Sequence, residues 1–147
     1  MKSNITQFCN ALEKIEPEKS GGLISYLYDL VDLLEGVNEI TPIYDSVFQF
    51  LEKYPSADIG NPGPLVHLLE RHYPDYVPKL IASIEQKPTY NSIIMLHRIM
   101  NSELSKEDES KYLALLKAVA DSNTVDEITK ENAQEFYDFL IEKNKTI

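Results

Sequence analysis

Apolar residues return at every third or fourth position along almost the whole chain, and clean alternation over the length of a strand is absent. A period near 3.6 keeps apolar side chains on one face of a helix, so the spacing predicts an all-α fold. Prolines and short polar turns cut the pattern into about eight helices of roughly 10 to 18 residues. Eight helices joined by short turns suggest antiparallel pairs stacked side by side, either a short HEAT-like solenoid or an irregular bundle. No strict repeat period and no linker are visible, so residues 1–147 read as a single helical domain.

Capping chemistry places the boundaries. Ser3 is the expected cap of a first helix that carries Ile5, Phe8, Cys9, Leu12 and Ile15 on one stripe and stops before Pro17. After the break at "EKSGG", Leu23, Leu27, Leu30, Val31 and Leu34 make the stripe of a second helix, which Gly36 can end in a left-handed turn. Thr41-Pro42 reads as a cap followed by proline at the first helical position, leading into Ile43, Val47, Phe50 and Leu51. The loop "SADIGNPGP" precedes a helix opening at Pro64, Pro74 closes that helix, and Asp75 is a candidate cap for the next. Pro88-Thr89 begins "YNSIIMLHRIMNS", whose apolar residues cover most of its circumference, the pattern of a central helix. Ser105 with Asp108, and Thr124 with Glu127, resemble capping boxes for the last two helices.

Charge then narrows the function. With 24 acidic against 14 basic residues the net charge is −10. Such a surface repels phosphate backbones and anionic membranes and speeds association with a basic partner, so neither nucleic acid nor membrane is an expected partner. A single cysteine, Cys9, allows no internal disulfide, no secretory signal pattern opens the chain, and no apolar run is long enough for a membrane span. The expected location is the cytoplasm.

Sites for catalysis are hard to assemble. His67 and His72 are five apart, which does not place them on one helix face as metal ligands require, and no HExxH pattern exists. Both His67 and His97 read as half-buried, hydrogen-bonded residues, and Cys9 lies on an apolar stripe where a thiol is packing. "GNPGP" has glycines, but its prolines lack the N–H donors of a phosphate cradle. Arg98, set in the apolar helix, needs a counter-charge, and Glu70 is the expected one. No cofactor, metal or small-molecule substrate is expected, and the chain reads as a non-enzyme.

Binding is better supported. Asp29 and Asp32 share a helix face at i, i+3, and Glu35 extends the row, at a cost of about 0.2–0.5 kcal/mol per like-charged pair in a lone helix. Tyr26 and Tyr28 stand beside Asp29, and Tyr44 beside Asp45. Aromatic anchors amid charge are common in protein-recognition hot spots. These seven residues are the leading partner-binding candidates. Asp126, Glu127, Glu131, Glu135 and Asp138 on the last helix form a competing acidic face.

"GNPGPLVHLLERHYPDYVPKL" followed by "SIEQKPTYNSIIMLHRIMNS", roughly residues 58–102, resembles a pattern of small bacterial immunity proteins from polymorphic-toxin and contact-dependent inhibition systems. The shared features are Pro62, Gly63, Pro64, Leu65, Val66 and His67 opening one helix, and Pro88, Thr89, Arg98, Ile99 and Asn101 along another. The resemblance implies an α-helical cytoplasmic antidote that neutralises a cognate toxin domain, often a basic nuclease, by covering its active site. The matching residues look like scaffold, so they transfer no contact surface. The competing expectation is a helical-repeat adaptor for a regulatory protein. A small enzyme would instead need a pocket holding perturbed ionisable groups.

Overall fold

The computed structural model describes residues 2–17 and 22–145, with side chains described for 4–17 and 22–144. The described residues form eight helices and no strand: α1 (Lys2–Lys14), α2 (Leu23–Asp32), α3 (Ile43–Lys53), α4 (Pro64–Glu70), α5 (Val77–Gln86), α6 (Tyr90–Met100), α7 (Lys106–Ala120) and α8 (Glu127–Lys145). The all-α reading therefore holds. No helix among the described residues is long and apolar enough to cross a membrane. By its internal contacts the chain divides into two compact units, residues 1–82 and 83–147, with the border inside α5.

In the first unit α1 packs mainly on α3 and α2 mainly on α4, with a smaller α1–α2 contact. Its core is built from Phe8, Leu12, Leu27, Ile40, Ile43, Leu51, Ile59, Leu65, Leu69 and Leu80, all essentially inaccessible. Burial of one such side chain contributes about 1.5–3 kcal/mol. Gly36 adopts the left-handed conformation expected of it, φ 80°, but α2 itself ends at Asp32 and Gly36 closes the turn that follows.

The loop ahead of α4 is anchored by buried Ile59 and pinched at two glycines. The N–H of Gly60 (φ 104°) donates to Asp58 Oδ1 at 3.1 Å. At Gly63 (φ 89°) an added Cβ would overlap the carbonyl of Ile59, and at Gly60 it would meet the Cα of Gly63. Two backbone segments thus pass at a distance only glycine permits, and Pro64 then opens α4 at its first helical position.

The second unit joins α6, α7 and α8, with α7 against α8 the most extensive contact and α6 touching both. α6 is buried at Asn91, Ser92, Ile93, Met95, Leu96, Ile99 and Met100, as its all-round apolarity predicts. Thr89 caps it in a full capping box with Ser92, whose N–H donates to Thr89 Oγ1 at 3.1 Å while the Thr89 N–H donates to Ser92 Oγ at 3.0 Å.

Several local expectations are corrected. Thr41 does not cap α3: its hydroxyl and N–H both donate to Glu39, and the residue before Ile43 is Pro42. Thr124 does not cap α8; Asp126 does, taking the Thr129 N–H at 3.0 Å and its hydroxyl at 2.8 Å. Asp75 precedes α5 by one residue too many, since the first turn closes on the Tyr76 carbonyl. Ser105 caps α7 as expected, accepting from the Asp108 N–H at 3.1 Å. Arg98 is exposed rather than sunk in the apolar face of α6. The Ser3 cap lies outside the described side chains, and the break at residues 18–21 outside the described residues.

Candidate functional site

Leucine spacing orients α2. Leu23, Leu27 and Leu30 are buried, so the opposite side of the helix turns outward. Tyr26 is 42% exposed and Tyr28 53%, and Asp29, Asp32 and Glu35 are exposed with them. None of these three carboxylates makes an ion pair among the described residues. The turn after α2 continues its screw, with Leu34 N–H donating to Val31 O (2.9 Å) and Glu35 N–H to Asp32 O (3.2 Å). Glu35 therefore stays on the row of Tyr28 and Asp32, at i, i+4 and i+7.

That row forms one wall of a cleft of about 420 Å³ whose other wall comes from α4 and the turn after it. Leu65, Leu68 and Leu69 fix α4 in the core and leave His67 and Arg71 exposed. His72 lies half-buried in the same cleft. The Arg71 Nε–H donates to the His67 carbonyl at 3.4 Å, and His67 Nδ1 stands 3.4 Å from Glu70 Oε1. Asp32 and Glu35 on one wall and Arg71 and His72 on the other make no ion pair with one another. Close by, the Glu39 carboxyl is held below the usual carboxylate range by the two hydrogen bonds from Thr41, with His72 adding a smaller pull.

The seven sequence-predicted residues do not form one patch. Tyr28, Asp32 and Glu35 share the cleft; Tyr26 and Asp29 are exposed on the same helix without lining it. Asp45 is exposed on α3 and paired with Lys79 of α5 at 2.8 Å, so its charge is already partly answered. Tyr44 is a correction. It is 2% exposed, because α3 buries Ile43, Tyr44, Val47, Phe48, Phe50 and Leu51 rather than a single narrow stripe. Its hydroxyl is buried without a hydrogen-bond partner, and burial, followed by the nearby Asp75 and Glu39 charges, pushes the phenol above its usual range. Such a side chain is core and anchors no partner.

His67, Arg71 and His72 were not legible as cleft residues. Five positions apart on a continuous helix, the two histidines would diverge, but α4 ends at Glu70 and the chain turns through residues 71–76. The available signal was Pro74, which limits that helix to a short span.

The competing acidic face is real but differently used. On α8, Asp126 is spent as the cap, Glu127 lies 4.0 Å from Lys130, and Asp138 accepts from Gln134 at 2.9 Å. Glu131 and Glu135 are exposed with no ion pair among the described residues. Ile128 (63%) and Phe139 (55%) are exposed on that helix too, but eleven residues separate them, about 16 Å along the axis, so they form no continuous apolar patch.

Two further features lie apart from the cleft lining. Half-buried Cys9 lines a small cavity of about 210 Å³ between α1 and α3 beside Glu13 and Lys53, without a histidine in the lining to serve as its base. His97 stacks on Phe136 (centroids 4.0 Å apart, 13°) and meets Phe139 edge-on, with Nε2 buried and lacking a hydrogen-bond partner. It is thus half-buried as expected, but not satisfied. No group of three His, Cys, Asp or Glu among the described residues could hold a metal ion. Comparison with protein-family models, with curated proteins and with solved structures finds no match.

Proposed function

We propose that the chain is an immunity-type binding protein, a cytoplasmic antidote that occludes the active site of a cognate basic toxin domain and performs no catalysis itself. The observation that carries this reading is the outer side of α2, where exposed Tyr26 and Tyr28 interleave with Asp29, Asp32 and Glu35, three carboxylates with no cation of the described residues to neutralise them. Aromatic rings supply contact area at low entropic cost, and unanswered charge steers a basic partner. A groove shaped for phosphate would accept such a row as a mimic. The resemblance of residues 58–102 to immunity proteins points the same way.

Growth rescue tests it. Cells expressing the toxic domain encoded beside this protein should survive when it is co-expressed, and the complex should weaken as salt rises. Asp29→Lys should reduce rescue and flatten the salt dependence. No rescue by the parent protein, or full rescue by the reversed variant with unchanged salt dependence, would remove the reading. The second reading, a helical-repeat adaptor for a regulatory protein, is favoured by one observation, the exposed face of α8 with Glu131, Glu135 and Phe139.

A further inference from the structure

The α2–α4 cleft holds charges of both signs that are not spent on each other. Asp32 and Glu35 line one side with Tyr28, Arg71 and His72 the other, and no ion pair joins the two sides. A volume of about 420 Å³ keeps them apart and falls in the range of small-ligand sites. Glu70 answers His67 at 3.4 Å, whereas Arg71 is engaged only by a long hydrogen bond to a backbone carbonyl of its own helix. A ligand that presents only positive charge would satisfy Asp32 and Glu35 and meet Arg71 as a like charge. A purely anionic one would meet the reverse. The arrangement favours a ligand carrying both.

We propose that this cleft seats an arginine side chain of a protein partner together with a neighbouring carboxylate of the same segment, the guanidinium against Tyr28, Asp32 and Glu35 and the carboxylate against Arg71 and His72. Arginine suits the first wall better than lysine because its planar fork can engage two carboxylates and lie on an aromatic face. This rests on the reading above only in taking the partner to be a protein, and it names what that partner must display.

The test uses the full-length protein, isotope-labelled for amide NMR at low salt, and the capped tripeptide Arg-Ala-Glu at millimolar concentration. Saturable shifts should cluster in residues 28–35 and 67–72. Replacing either charged residue of the peptide by glutamine should weaken binding about two- to fivefold, the worth of one exposed charge pair. In the double variant Arg71→Gln, His72→Gln the protein should no longer distinguish Arg-Ala-Glu from Arg-Ala-Gln, and in the double variant Asp32→Asn, Glu35→Gln it should no longer distinguish Arg-Ala-Glu from Gln-Ala-Glu. All of these side chains lie outside the buried core, and a circular dichroism melt checks that the variants stay folded. No saturable shift in those segments overturns the proposal, as does discrimination between Arg-Ala-Glu and Arg-Ala-Gln that survives the Arg71→Gln, His72→Gln variant. The immunity reading has a separate indicator in Asp29, which lies outside the cleft. Rescue sensitive to Asp29→Lys combined with failed peptide coupling would sink the cleft and leave the acidic face. Peptide coupling without rescue would leave the cleft and sink the antidote.

Discussion

α2 and α8 each expose a row of carboxylates, yet they are held and surrounded differently. α2 is anchored by Leu23, Leu27 and Leu30 within ten residues, and its outer row borders a cleft with Arg71 and His72 opposite. α8 runs nineteen residues and is buried at Thr129, Ala133 and Leu140, small side chains through much of its length, with Phe136 supplying bulk by stacking on His97. Its acids are partly consumed by capping and by neighbours on the same helix. The lesson is that an acidic stripe gains recognition value from what stands across from it. Charge alone does not set a face apart; at α2 the cleft beside it adds shape to charge.

Four experiments would break or sharpen this comparison. The largest effect is expected at Leu27, fully buried beneath the α2 row, where Leu27→Ala should cost about 2–5 kcal/mol in urea melts and disturb the face with it. A loss well under 1 kcal/mol would mean that Leu27 does not anchor α2 to the core. Next, Asp32→Lys with Glu35→Lys should slow association with a basic partner about tenfold or more at low salt, while Glu131→Lys with Glu135→Lys should leave the rate within a factor of about two. Equal effects from both pairs, read by stopped-flow or surface plasmon resonance, would erase the distinction between the faces.

Smaller is the cap of α8. Asp126→Ala removes both hydrogen bonds to Thr129 and should lower stability by about 1 kcal/mol. Thr124→Ala should be nearly silent in the same melts, and a reversed ranking would restore Thr124 as the cap. The smallest expected effect is a change of pH slope at His97. Burial, with a lesser contribution from Lys143, holds its imidazole below the usual value of 6.5. As pH falls through that value the unfolded chain takes up a proton that the folded protein refuses, so stability declines until the lower folded value is passed. Above it both states are neutral and the contribution vanishes. His97→Gln should therefore gain on the parent as pH falls from neutrality through the unfolded value of 6.5, while keeping a fixed difference above neutrality. A difference independent of pH would show that the ring is not shielded from protons.

Much of the fold was legible because helix period and capping are local. The three leucines of α2, the left-handed turn at Gly36, the opening of α4 at Pro64 and the cap at Ser105 all follow from residues within a turn or two of one another. Thr124 was misread because two local candidates competed, and the Asp126 carboxylate, reaching both polar groups of Thr129, outbid a hydroxyl. Tyr44 was misread because spacing shows one stripe, whereas α3 buries adjoining positions as well. The cleft was illegible for a different reason. α2 and α4 pack together across the whole of α3, and no periodicity within a helix states which other helix it will face.

The pinch at Gly60 and Gly63 gives the two parts of this surface opposite tolerances to sequence change. Positions 28, 32, 35, 71 and 72 are exposed or half-buried and can be rewritten to suit a new partner without touching the core. Gly63 accepts no side chain, since any Cβ would collide with Ile59 and displace the first turn of α4, carrying His67 with it. A library built to retarget the protein should randomise the former and leave the latter untouched, because the loop that seats α4 is a place where nothing can be added.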